Sequence, residues 1–94
     1  MNTPEIKEFI LENSSLFWYT PEDKKENINH EFLVEMILNY GDIQSVKKLF
    51  DLLGLKYVAD IFFSQTNNSK TNYFPQVVHY FTLYFNKHVQ RDTD

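Results

Sequence analysis

Only two glycines interrupt this chain, and each directly follows apolar residues at helical spacing. Leu33, Met36, Ile37 and Tyr40 stand at i, i+3, i+4 and i+7, the pattern of one buried helix face, and Gly41 comes next. Ile43, Val46, Leu49, Phe50 and Leu53 form a second stripe, closed by Gly54. Glycine in that position predicts a helix end in left-handed geometry, where a Cβ would clash. Asp42, just past the first glycine, is placed to cap the second helix. A third, shorter stripe follows in Leu55, Val58, Ile61 and Phe62. Helices joined with almost no linker must turn sharply and pack as neighbours.

The flanking segments read the same way. Thr3-Pro4-Glu5 combines a hydroxyl cap, a proline that needs no amide partner and an acid at the positive helix end. Ile6, Phe9 and Ile10 follow at helical spacing until Asn13-Ser14-Ser15 stops the run. Thr20-Pro21-Glu22-Asp23 repeats the start signal, with Thr20 and Asp23 at capping-box separation. Residues 64–72 form a polar loop, after which Thr71 or Asn72 is expected to cap a last helix, with Pro75 in its first turn. That helix runs to about His88, with Phe74, Val77, Val78, Phe81 and Phe85 on one side and Tyr73, Tyr80 and Tyr84 flanking them. Alternating strand patterns of convincing length are missing. The expected architecture is all-α: a compact bundle of four to five short helices with an aromatic-rich core, one domain over residues 1–94, ordered from about 3 to 88 with a frayed tail at 89–94.

Composition narrows the chemistry. Ninety-four residues make one domain, and a chain this short buries only about 60–65% of its unfolded surface, so its core must be dense. Nine Phe, six Tyr and one Trp supply that density. Zero cysteines exclude disulfides, thiolate zinc sites and a cysteine nucleophile together. Residues 1–45 carry three lysines against nine acids, a net of −6, whereas residues 46–94 carry six basic residues against four acids, a net of +2. An acidic chain repels the phosphate backbone, and its single arginine, Arg91, stands in the tail, so nucleic-acid binding is not expected. No basic, apolar leader opens the sequence, and no run approaches the roughly 18 apolar residues of a membrane span, so the expectation is a cytoplasmic protein.

Catalytic and metal constellations are equally sparse. His30-Glu31 with Glu35 superficially resembles a metalloprotease helix, but Val34 occupies the place of the second histidine. A solvated first helical turn explains those residues better. His79 and His88 are nine positions apart and face different directions, and neither has an acid within the helix to orient it. Ser14-Ser15 carries no sign of an activating base, and the two glycines end helices rather than cradle a phosphate. No enzyme, metal or cofactor is expected. A DNA-reading helix-turn-helix over 46–63 would have its turn at Gly54, yet Phe50 and Asp60 stand where a small and an apolar residue are wanted, and the would-be recognition helix has no net charge.

The aromatic segments are more informative. Phe17-Trp18-Tyr19 cannot all point into one core, and between Tyr73 and Phe85 six of thirteen residues are aromatic, on more than one helix face. Phe74, Phe81 and Phe85 read as core. Trp18, Tyr19, Tyr80 and Tyr84 are the candidate interface residues, since exposed Trp and Tyr are enriched at protein–protein hot spots.

Leu16-Phe17-Trp18, Tyr40-Gly41-Asp42, the helix from Leu49 to Gly54 and the closing Phe81-Thr82-Leu83-Tyr84-Phe85, in this order, resemble a small and largely uncharacterised bacterial family of helical domains. The resemblance spans about residues 14–86 through short motifs. Tyr19 departs from it, standing where members commonly carry an acid, and the Asn-rich loop at 66–72 is longer than usual. Such proteins are often encoded beside nucleotidyltransferase-type toxins of abortive-infection systems, which implies an antitoxin-like role. The family offers no catalytic residue to transfer. The expected function is thus a non-enzymatic interaction module that masks a partner protein, a nucleotidyltransferase-type toxin by the resemblance. Two alternatives stay open: a DNA-binding autoregulator using 46–63, and a homo-oligomer whose aromatic surface pairs with itself.

Overall fold

The computed structural model describes residues 2–18, 20–67 and 71–89, and among them there are five α-helices and no strand. In chain order they are α1 (Pro4–Glu12), α2 (His30–Tyr40), α3 (Ile43–Leu53), α4 (Leu55–Thr66) and α5 (Pro75–His88). Two 3-10 segments, Ser14–Phe17 and Glu22–Asn27, lie between α1 and α2. The all-α bundle expected from the sequence is therefore present. Its radius of gyration is 13.3 Å, against about 12 Å for a compact domain of this length.

Capping chemistry sets where the helices begin. Thr3 Oγ1 accepts from the Ile6 amide at 3.3 Å, Asn29 Oδ1 from Phe32 at 2.8 Å and Asp42 Oδ1 from Ser45 at 2.8 Å. Each satisfies an amide that the first helical turn leaves without a backbone partner. The Ser45 amide, and then its hydroxyl, hold the Asp42 carboxyl below the ordinary aspartate range. The second predicted start does not form an α-helix. Residues 22–27 adopt 3-10 geometry with Pro21 in the cap position and no side-chain cap, so Thr20 does not play the expected role. α5 has no side-chain cap: Phe74 holds the cap position, and its own amide donates to Asn39 Oδ1 of α2 at 3.1 Å. Neither Thr71 nor Asn72 caps it, because Asn72 turns its side chain to Glu35 while its carbonyl accepts from Asn39.

The two glycines serve different ends. Gly54 has φ +91°, the only positive φ among the described residues, as expected for a helix-ending glycine. Gly41 is extended, with φ −75° and ψ 159°, so the left-handed geometry expected there is absent. Glycine is needed at 41 for closeness: a Cβ would stand 2.7 Å from the Ile37 carbonyl oxygen. Any larger residue would have to push the chain off the end of α2.

α2, α3 and α4 pack pairwise, α5 lies on α4, and α1 lies on the second 3-10 segment. Phe62 of α4 is fully buried at the centre, with its ring centroid 5.1 Å from Tyr73, 5.3 Å from Phe85, 5.4 Å from Phe63 and 6.2 Å from Phe81. Such ring pairs add about 0.5–1.5 kcal/mol each beyond the area they bury. Leu33, Val34, Ile37, Leu38, Val46, Leu49 and Val58 belong to the same core, as do Ile6, Phe9 and Ile10 of α1. Three stripe residues depart from it. Tyr40 and Ile43 flank the Gly41 turn and are more than half exposed, and Phe74, expected in the core, caps α5 from outside with its ring edge on Tyr40 at 5.4 Å. α4 also outlasts its apolar stripe to reach Thr66, whose hydroxyl donates back to the Phe62 carbonyl at 3.0 Å, so the polar loop begins later than expected.

Candidate functional site

α2 carries two adjacent stripes. Leu33, Val34, Ile37 and Leu38 enter the core, while Phe32, Glu35, Met36, Asn39 and Tyr40 recur at 3–4-residue spacing beside them. Over this second stripe lies a hollow of about 570 Å³, walled by Leu16 of the first 3-10 segment, by Trp18 just after it and by Asn72. The short 3-10 turn separates its aromatics: Phe17 points inward, fully buried with its ring 5.8 Å from Phe32, and Trp18 points outward, 67% exposed. Tyr19 lies outside the described residues.

Asn39 fixes the far wall by bonding both the Asn72 carbonyl and the Phe74 amide. Glu35 is the only carboxylate among the described residues that line the groove; its Oε1 accepts from Asn72 Nδ2 at 3.5 Å, and it makes no ion pair among the described residues. Its charge reaches the neighbouring core. Burial first, and the Glu35 carboxylate second, push the Tyr73 phenol well above its ordinary range.

The other candidate anchors lie elsewhere, on α5. Tyr80 is 53% exposed, whereas Tyr84 is half-buried, stacked on Phe50 of α3 at 5.6 Å and on Tyr80 at 6.2 Å. Tyr84 thus ties α5 to α3, and Tyr80 is the freer ring of the pair. Leu83, 58% exposed on the same helix, lies off the apolar stripe of Phe74, Val77, Val78, Phe81 and Phe85. Trp18 and the α5 tyrosines form two patches that share no groove residue.

The histidines are placed differently from expectation in one case. His30 is half-buried rather than solvated: its Nδ1 meets the Tyr57 hydroxyl at 2.7 Å and its Nε2 meets Asn2 Oδ1 at 3.1 Å. Asn2 Nδ2 in turn donates to the Ile28 carbonyl at 2.9 Å. The amide oxygen only accepts, so in the neutral ring Nε2–H donates to Asn2 and Nδ1 accepts from Tyr57. The ring thereby fastens the start of the chain to α2 and α4, a link between residues 27 and 28 positions apart that no local pattern could announce. His79 and His88 are exposed, the latter with its ring 4.5 Å from Tyr84. Among the described residues, no three His, Cys, Asp or Glu side chains are grouped to hold a metal ion.

The helix-turn-helix candidate meets a geometric obstacle. α3 and α4 are separated by Gly54 alone, against the three- to four-residue turn of that motif. Val58, Ala59, Ile61 and Phe62 of the second helix face the core, and Lys56 is paired with Asp60 at 3.2 Å.

Among the described residues, no helix is long and apolar enough to cross a membrane. Comparison of the chain with protein-family models, curated proteins and solved structures finds no match. The resemblance to the bacterial helical family therefore rests on the short motifs quoted for it.

Proposed function

We propose that this chain is a non-enzymatic interaction module of the cytoplasm that binds a partner protein through the groove over α2, with Trp18 as its principal anchor. The observation that carries this reading is the 67% exposure of that indole at the rim of a hollow floored by Met36 and Phe32. An exposed Trp beside an apolar depression has the composition of a binding hot spot, and burying it against a partner gains area that folding has not used. Tyr80 supplies a second, separate ring. Tyr84 contributes less, because much of its surface already covers Phe50. The family resemblance adds an antitoxin-like role, with a nucleotidyltransferase-type toxin as the partner to be masked. The acidic first half of the chain would speed encounter with a basic, nucleic-acid-handling protein.

Affinity capture with the tagged chain and its Trp18→Ala variant, read by mass spectrometry, tests the reading. One protein recovered in stoichiometric amount by the wild type and lost with the variant is the expected result. Equal recovery by both, or recovery of the bait alone as a dimer, would overturn it, the latter in favour of self-assembly.

A further inference from the structure

We propose that the groove over α2 takes a cationic side chain, an arginine or lysine on a basic segment of the partner, seated between Trp18 and Tyr40 and neutralised by Glu35. This rests on the reading of the chain as a protein-binding module and adds the chemistry of what the groove recognises. Trp18, Tyr40 and Glu35 line one hollow, so two aromatic rings and one carboxylate converge on the same space. A ring face attracts a cation through its quadrupole, most strongly for indole, and a carboxylate adds a charge-assisted hydrogen bond. Leu16, Phe32 and Met36 supply the apolar floor along which the methylene stem of a long basic side chain lies.

Charge decides between occupants. Among the described residues no lysine or arginine lines the groove, and Glu35 has a neutral amide as its hydrogen-bond donor, at a long 3.5 Å. An apolar or acidic segment seated there would strip water from that carboxylate and return nothing, which is unfavourable. A basic segment replaces the lost water with a counter-charge. The net of −6 over residues 1–45, from which every groove residue but Asn72 comes, steers the same class of partner. At about 570 Å³ the hollow admits one such side chain with its immediate neighbours.

The test uses the isotope-labelled full chain and three capped peptides, Ala-Ala-Leu-X-Leu-Ala-Ala, with Arg, Gln or Glu at X. Binding is followed by the single indole N–H of Trp18 and the amide of Glu35 in nuclear magnetic resonance spectra. The Arg peptide is expected to shift both at about tenfold lower concentration than the Gln peptide, with the Glu peptide weakest. Glu35→Gln should erase the Arg preference; being a half-exposed isostere, it keeps the fold. Equal binding of Arg and Gln peptides, or a preference that survives Glu35→Gln, would overturn the inference. So would broadening of the Trp18 signal with protein concentration alone, which would put a second copy in the groove. If no peptide binds while Trp18-dependent capture of a cellular protein persists, the cation inference falls and the interaction reading stands. If both fail, both fall.

Discussion

Phe62 and Trp18 are both large aromatic residues in an aromatic-rich chain, and the fold treats them in opposite ways. Phe62 sits between two packed helices with rings on several sides and no exposure. Trp18 ends a single 3-10 turn whose neighbouring ring, Phe17, already fills the space below. What separates them is the element that carries each: a helix interior offers a ring two walls, whereas the end of a short turn offers one. Residue type alone therefore assigns neither ring to core or to binding. The same contrast holds between the two stripes of α2, where a shift of one residue moves a side chain from the core to the groove.

The contrast can be broken or sharpened in order of expected effect. Phe62→Ala should cost about 3–5 kcal/mol in urea denaturation, through a cavity at the meeting point of α4 and α5. A loss under about 1 kcal/mol would mean that the aromatic cluster does not hold the fold. Next come the glycines. Gly54→Ala should cost about 1–3 kcal/mol through its positive φ alone, since a Cβ there meets nothing within 4 Å. Gly41→Ala should cost a similar amount, about 1–3 kcal/mol, by the opposite cause, the contact with the Ile37 carbonyl.

Tyr73 gives a smaller, pH-dependent effect at the border of the two regions. Its phenol donates to Gln65 and titrates above its ordinary range when folded. The unfolded chain therefore loses that proton first, so stability is intact below about pH 10 and falls as pH rises beyond it. Tyr73→Phe should lower stability at neutral pH by about 0.5–1.5 kcal/mol and flatten the decline above about pH 10. An unchanged slope in that range would show that other tyrosines govern it.

Much of the helical frame is legible in the residue order because its causes are local. Thr3, Asp42 and Pro75 mark helix starts through chemistry within one turn, and Gly54 marks an end through its own φ. The departures come from contacts that join distant residues. Asn39 holds the Phe74 amide just ahead of α5 from 35 positions away, and neither Thr71 nor Asn72 serves as its cap. The Gln65 amide donates to the Glu31 carbonyl and its oxygen accepts from Tyr73, which binds the end of α4 into the bundle where composition alone suggests a loop. Tyr40 and Ile43 satisfy the helical period, yet the sharp turn at Gly41 carries both past the edge of the core. Of the candidate site, the exposure of Trp18 and Tyr80 follows from three consecutive aromatics and from a helix with rings on several faces. The groove itself does not, because it needs the 3-10 segment, α2 and Asn72 brought together.

On the proposed function, Trp18 is held for a partner and contributes little to the fold. Trp18→Ala, measured on one preparation by urea denaturation and by capture of the protein that the wild type retains, tests it most directly. The expected result is a change in stability within about 0.5 kcal/mol together with loss of capture. A stability loss on the scale of Phe62→Ala, or capture undiminished in the folded variant, would contradict it.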